Sequence, residues 1–280
     1  MSIRYFLNRC GVARIALALT GALIMTPSLA ATPIKTGGTG SAIRVVVALG
    51  TVFKQTYPDA EVVVLQGLGS GGAIKALNAQ AIELALSARP LKPAEQGQAL
   101  QASEVARTPL VFAGVKPYPG LSRAKVADIL LGKQQVWPDG SPLRPVLRPK
   151  DDSEAMLLRA SSPAMDQALG IALARPGMHV ALTDSEALEA LQSVPGAFGF
   201  TTLAMLKEAP SVRPFALDQV TPSLGTLSSG RYRLSKPLYL VIRENAPESV
   251  RAFVAFIQSA QGAKILADHG YLALAAAKRN

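Results

Sequence analysis

The sequence predicts an α/β fold, and two patterns carry that prediction. Short β-branched or apolar runs alternate with stretches of helical periodicity along the chain, and glycine-rich turns separate them. Strand, turn, helix and strand in succession are typical of parallel βαβ units. With 280 residues, of which 49% are hydrophobic, the chain can form one large domain or two ordinary ones.

The first half of the chain shows the alternation most regularly. Ile43, Val46 and Phe53 recur at helical spacing and predict a helix over 42–57. The β-branched run after Pro58 predicts a buried strand. The further elements predicted for this half are strands over 61–65, 82–87 and 110–115 and helices over 73–78 and around 94–102.

The second half continues the pattern with clearer helix boundaries. Ser122 is a predicted N-cap, and Gly132 stands just past the end of its helix. The elements predicted here are helices over 122–131, from 151–153 onward, over 185–192 and over 249–268, and strands over 143–148 and 238–242.

The N-terminus predicts export. Three arginines and no acid precede an apolar run over 15–25, and the small residues Ser28 and Ala30 follow it. This is the pattern of a secretory signal cleaved after Ala30, and a run of 11 residues is too short to span a bilayer. We expect residues 1–30 to be removed and the mature protein to reside in the periplasm.

Composition excludes several functional classes. One cysteine and two histidines rule out a disulfide framework or a cysteine-based zinc cluster, and no metal or cofactor is expected. The net charge is +10, and removing three of the 29 basic residues with the leader leaves 26 against 19 acidic, or +7. The basic residues are scattered, with no run of five and few aromatics, so the charge predicts attraction of a small anion and no nucleic-acid partner.

Glycine- and hydroxyl-rich helix starts predict an anion site. A helix N-terminus presents free backbone N–H groups and a partial positive charge, and glycine lets a ligand approach. Plain N-capping explains any single turn, but several together with Arg89 and Arg148 favour an anion site. The turns concerned are Thr39-Gly40-Ser41, Ser70-Gly71-Gly72 and Asp152-Ser153.

A dinucleotide site is the weaker interpretation of one of these turns. Gly67, Gly69 and Gly72 match G-x-G-x-x-G between a strand and a helix. Such a site expects an acid at the end of the next strand, where Arg89 stands instead. Leu68 excludes a nucleophile elbow at Ser70, and the two distant histidines give a catalytic triad little support. No catalysis is expected.

Five stretches in a fixed order resemble the phosphate-binding periplasmic proteins of ABC transporters, which have the type II periplasmic binding protein fold. The resemblance runs from about Ile34 to Leu274. The stretches are Thr39-Gly-Ser41; Gly67-Leu-Gly-Ser70-Gly-Gly with Ser87-Ala-Arg89; 121–140 with Gly132 and Trp137; Pro195-Gly-Ala-Phe-Gly-Phe200; and 232–239 with 260–262 and 269–271.

This resemblance implies two α/β lobes joined by a two-segment hinge, with a ligand cleft between them. The first lobe would comprise 31–113 and 235–280, and the second 114–234. A monomer of this kind captures phosphate or a similar oxyanion, closes about its hinge and docks on an ABC transporter permease in the inner membrane.

The resemblance also implies site residues. The implied ligands are Thr39, Gly40 and Ser41; Ser70, Gly71 and Gly72; Ser87 and Arg89; and Arg148 with Asp151, Asp152 and Ser153. The fourth loop of the family usually reads Arg, two residues, then Gly-Ser-Gly-Thr, whereas this chain has acids there. Those acids could discriminate between anions, repel them or cap a helix. The alternative function is therefore a periplasmic sensor or partner-binding module with an altered anion site.

Overall fold

Helices and strands alternate through the computed structural model, which describes residues 33–96 and 99–275. The predicted signal peptide lies outside the described residues and stays a prediction. The helices are α1 Ile43–Thr56, α2 Gly69–Asn78, α3 Pro93–Gln96, α4 Arg123–Leu130, α5 Ser153–Ala160, α6 Pro163–Ala174, α7 Asp184–Ser193, α8 Leu203–Leu206, α9 Leu224–Ser228, α10 Glu248–Ile257 and α11 Ala260–Asp268. The strands are β1 Ile34–Gly38, β2 Val62–Leu65, β3 Leu84–Ser87, β4 Leu100–Gly114, β5 Arg144–Leu147, β6 His179–Val180, β7 Ala197–Thr202, β8 Arg213–Pro214, β9 Ser235–Arg243 and β10 Leu272–Ala273.

The strands form two groups that share the long strand β4. In the first group β1 lies between β2 and β3 in parallel, and β9 pairs antiparallel with both β3 and the first part of β4. In the second group β5 pairs in parallel with β6 and β7, and β7 pairs antiparallel with the last part of β4 from Leu110 onward. Parallel units inside a mixed sheet confirm the predicted α/β class. The division into lobes at the predicted boundaries stays a prediction.

Each strand group has its own apolar core. On the first, α1 and α10 bury Phe53 and Phe253, whose ring centroids lie 5.0 Å apart. On the second, Trp137 packs against Phe198 and Phe215. No helix among the described residues combines the length and the apolar character needed to cross a bilayer.

Two predicted helices are wrong in part. Helix α3 ends at Gln96, and the strand β4 begins at Leu100, because residues 100–109 pair with β9 despite their helix-forming alanine and glutamine residues. The long C-terminal helix is two helices. The break falls at Ser259, whose hydroxyl caps α11 by accepting a hydrogen bond from the Gly262 N–H at 3.1 Å.

Candidate functional site

The first predicted loop follows strand β1 and lies in the interior. Thr39 and Ser41 are buried, with their hydroxyl oxygens 3.5 Å apart. Gly40 begins a short 3-10 turn that leads into α1. A Cβ at this glycine would lie 2.3 Å from Asp184 Oδ2, so the missing side chain is what lets the start of α7 contact this loop.

The second and third loops bond to each other. Ser70 Oγ accepts a hydrogen bond from the Ala88 N–H at 2.9 Å, and Ser87 Oγ donates to the Arg89 carbonyl at 2.7 Å. Gly71 and Gly72 lie in the first turn of α2, which begins at Gly69. These hydroxyls therefore hold the two turns in place.

Arg89 turns to a neighbouring carboxylate. Its two terminal nitrogens pair with both oxygens of Glu95, at 2.8 and 2.9 Å. Hydrogen bonding to Arg89 holds the pKa of Glu95 below its ordinary value, against a smaller effect of burial. The structure thus gives this predicted ligand a bidentate partner on the adjacent helix α3.

The fourth loop connects Arg148, just after β5, to the start of α5. Asp152 is the N-cap of that helix: its Oδ1 accepts hydrogen bonds from the backbone N–H groups of Glu154 at 2.9 Å and Ala155 at 3.3 Å. Its Oδ2 accepts a hydrogen bond from Arg148 Nη2 at 2.8 Å. Asp151 is exposed, and its carboxylate has no hydrogen bond or ion pair with any residue that the structure describes.

Arg148 and Asp152 belong to a buried group of charged residues that we call the ion cluster. Its other members lie on separate elements, with Glu154 on α5, Asp184 on α7 and Lys236 on β9. Lys236 Nζ lies 3.0 Å from Glu154 Oε1 and 3.1 Å from Asp184 Oδ1. Lys236 is 1% exposed and Glu154 is fully buried.

The buried charges shift one another's ionisation. Burial alone would lower the pKa of Lys236, but the carboxylates of Asp184 and Glu154 outweigh it and hold that pKa above its ordinary value. Burial would raise the pKa of Asp184, but the charges of Lys236 and Arg148 keep it well below its usual range. For Glu154 burial prevails over the attraction of Lys236 and raises the pKa to about 8.

At neutral pH the cluster is close to electroneutral. Arg148 remains charged, because its bond to Asp152 and the nearby acids raise its pKa against the effect of burial. Two cations therefore face the carboxylates of Asp152 and Asp184, while Glu154 holds its proton. A pair of cations matched by a pair of carboxylates makes burial of Arg148, Glu154, Asp184 and Lys236 tolerable.

Some buried donors in the cluster have no acceptor. Arg148 is 2% exposed, yet its Nε and Nη1 find no hydrogen-bond partner within the described parts of the chain. Buried polar groups are nearly always hydrogen-bonded, and leaving a charged one unpaired is costly. These two N–H groups can donate to the oxygens of a bound anion.

The cluster also reaches the first loop. The Ser41 hydroxyl hydrogen-bonds to Tyr271, a fully buried residue whose pKa burial raises, with Ser41 and the Lys236 charge partly offsetting it. Ser41 also lines a surface cavity of about 260 Å³, together with Arg44 and His269.

The structure brings only some of the predicted site residues together. Thr39, Gly40 and Ser41 meet the ion cluster, which contains Arg148 and Asp152, with Ser153 next to it in the first turn of α5. The Ser70 and Ser87 loops form a separate bonded pair. A ligand role for any of them stays a prediction.

Sequence reasoning missed Glu154, Asp184 and Lys236 as site members. Lys236 carried a usable signal, because it is a charged residue at the start of the apolar strand β9. No group of three or more histidine, cysteine, aspartate or glutamate side chains among residues 33–96 and 99–275 is arranged to hold a metal ion.

A family model for the PBP superfamily domain matches residues 26–261, most of the chain. The chain belongs to the PBP superfamily. This confirms the family predicted from the sequence at the level of the periplasmic-binding-protein fold, and with it the predicted class of binding protein. No curated protein sequence is significantly similar to it.

Solved structures show the same PBP fold. A Clostridium perfringens protein described as a phosphate ABC transporter substrate-binding protein, solved with bound phosphate, is 21% identical, with a TM-score of 0.75 over 87% of this chain and 100% of that one. An ABC-type phosphate transport receptor from Vibrio cholerae is also 21% identical, with a TM-score of 0.63 over 85% and 99%. The periplasmic molybdate-binding protein of Azotobacter vinelandii is 18% identical, with a TM-score of 0.62 over 85% and 98%.

Proposed function

We propose that the protein is a periplasmic solute-binding protein that captures phosphate or a similar oxyanion for ABC-type import. The observation that carries this proposal is the buried guanidinium of Arg148, whose Nε and Nη1 groups have no acceptor among the described residues. A tetrahedral oxyanion presents several acceptor oxygens to such donors. The buried hydroxyls of Thr39 and Ser41 lie on the loop that contacts the same cluster.

The relatives of known fold support the ligand class. Two are described as phosphate receptors of ABC transport, and a third binds molybdate, which is also a tetrahedral oxyanion. We carry the oxyanion, the transporter partner and the periplasmic location to this chain as parts of the proposal. Closure of the two predicted lobes about the β4 and β9 segments would deliver the ligand to a permease.

Calorimetric titration of the mature protein tests the ligand class. The titrants are phosphate, sulfate, molybdate and an organic phosphate, and at least one should bind. Arg148→Met should lower that affinity at least tenfold, because a hydrogen bond to a charged group contributes roughly 1.5–3 kcal/mol. The control is Arg213→Met, which removes the same charge from an exposed position. No heat with any of the four anions would overturn the proposal.

Export is tested separately. A periplasmic fraction should contain the protein, and N-terminal sequencing should begin at Ala31. Retention in the cytoplasm, or an intact N-terminus, would contradict the periplasmic assignment.

A periplasmic sensor or partner-binding module is the second candidate, and one observation favours it. The carboxylates of Asp152 and Asp184 already balance the charges of Arg148 and Lys236, so the cluster offers an anion no net positive charge. This candidate predicts that wild-type protein binds none of the four anions while remaining folded.

A further inference from the structure

The carboxylate of Asp152 occupies the place that an oxyanion takes at a helix start. One oxygen accepts two backbone N–H groups in the first turn of α5, at 2.9 and 3.3 Å. The other oxygen accepts the Arg148 Nη2 group at 2.8 Å. Backbone donors at an N-terminus together with a guanidinium are the contacts that a bound phosphate or sulfate makes.

Capping alone does not account for a carboxylate at this position. Serine caps a helix about as well as aspartate, and needs no guanidinium beside it. What the acid adds is the bond to Arg148 and a negative charge in the cluster. Its side chain is also 14% exposed, whereas Arg148 is almost fully buried, so the acid lies on the more accessible side of the pair.

Arg148 retains unused donors despite this bond. Its Nε and Nη1 have no partner within residues 33–96 and 99–275, although the side chain is 98% buried. Asp152 therefore satisfies only part of what the site can donate, which points to a ligand larger than one carboxylate at the same position.

The charge count gives the consequence for affinity. Arg148 and Lys236 face the carboxylates of Asp152, Glu154 and Asp184, and an arriving anion meets the like charge of Asp152 at short range. Removing Asp152 makes the cluster one charge more positive in a low-dielectric interior, where an anion is attracted most strongly.

We propose that Asp152 is a built-in competitor for the oxyanion and sets how tightly the protein binds one. This inference rests on the proposed function, because it assumes that the same donors receive the solute. Asp152 therefore determines affinity: its carboxylate charge must give way for an anion to bind to Arg148 and the α5 N–H groups.

The test compares Asp152→Ser with Asp59→Ser in calorimetric titrations with inorganic phosphate at pH 7.5. Both changes remove one negative charge, but Asp59 is an exposed residue outside the predicted site, whereas Asp152 contacts the helix start and Arg148. Asp152→Ser should bind phosphate at least tenfold more tightly than wild type, while Asp59→Ser should stay within twofold of it. Equal or weaker binding by Asp152→Ser would overturn the inference.

A second variant covers a failure to fold. Asp152→Asn keeps the size of the side chain and an acceptor that caps the helix, so it should fold. Because it removes the negative charge, it should also bind phosphate more tightly than wild type. Far-ultraviolet circular dichroism identifies which variant is folded, and the folded one decides.

The two proposals fail in different ways. Wild type that binds phosphate, with Asp152→Ser no tighter, leaves the proposed function standing and overturns the competitor role. If wild type binds no phosphate but the Asp152→Ser variant does, the competitor role is supported and the use of free phosphate by the native protein is contradicted. If neither protein binds phosphate, both proposals are overturned.

Discussion

Glu154→Gln should remove most of the pH dependence of stability between about pH 4.5 and 8. Glu154 is fully buried, and burial raises its pKa in the folded protein to about 8, from an ordinary value of 4.5 that applies when the chain is unfolded. Between these two values the folded protein keeps a proton that the unfolded chain releases. The free energy of unfolding of the wild type therefore falls as pH rises through this window.

The magnitude follows from the width of the window. Each pH unit lowers the free energy of unfolding by at most about 1.4 kcal/mol. Over the full window of about 3.5 pH units, the free energy of unfolding therefore falls by no more than about 5 kcal/mol. Glutamine is neutral at every pH and has nearly the same shape as the protonated acid. The variant should match wild type near pH 5 and be several kcal/mol more stable at pH 8.

Urea unfolding monitored by circular dichroism at pH 5, 6, 7 and 8 measures this difference. The control is Glu61→Gln, an exposed acid whose curve should run parallel to that of wild type. Asp184 contributes in the opposite sense at lower pH: its depressed pKa adds stability above its ordinary value of 3.8, which is lost as pH falls through the folded pKa. A constant difference between Glu154→Gln and wild type from pH 5 to 8 would refute the reasoning.

Three further predictions concern the same region. Lys236→Met should lower the free energy of unfolding, measured in urea, by about 3–5 kcal/mol, because Asp184 would stay buried without its main cation. A decrease of less than about 1 kcal/mol would contradict this. Gly40→Ala should lower the free energy of unfolding by roughly 1–3 kcal/mol, since its Cβ would meet the Asp184 carboxylate. Gly71→Ala has open space around it, so it should not lower the free energy of unfolding and should raise helix propensity. Equal effects of the two changes in thermal unfolding would exclude this account. Arg89→Met should leave calorimetric anion affinity within twofold, because that guanidinium already has a carboxylate partner, and a tenfold loss would place it in the site.

Local chemistry explains which elements could be predicted. Ser122 caps α4 by accepting a hydrogen bond from the Lys125 N–H, and Gly132 after its end has φ of +76°, as the sequence pattern indicated. The start of α5 was predicted from its acidic and hydroxyl residues for the same reason, because an N-cap needs only its own helix.

Elements that depend on distant partners were predicted less well. The helix expected around 94–102 gives way to β4, because backbone pairing with β9, more than 130 residues later in the chain, outweighs local helix propensity. The predicted contribution of Arg89 to an anion site likewise took no account of Glu95, which lies close in sequence but reaches the guanidinium only after α3 forms.

Sequence patterns were enough to predict the class of fold, the family, the turns at which helices begin and the presence of Arg148 and Asp152 on one of them. That Glu154, Asp184 and Lys236 join them in one cluster became visible only in the folded arrangement of α5, α7 and β9. Capping and periodicity act within a few residues. Neutralisation of buried charges, in contrast, depends on which elements pack together, and the residues concerned here are up to 88 positions apart, from Arg148 to Lys236.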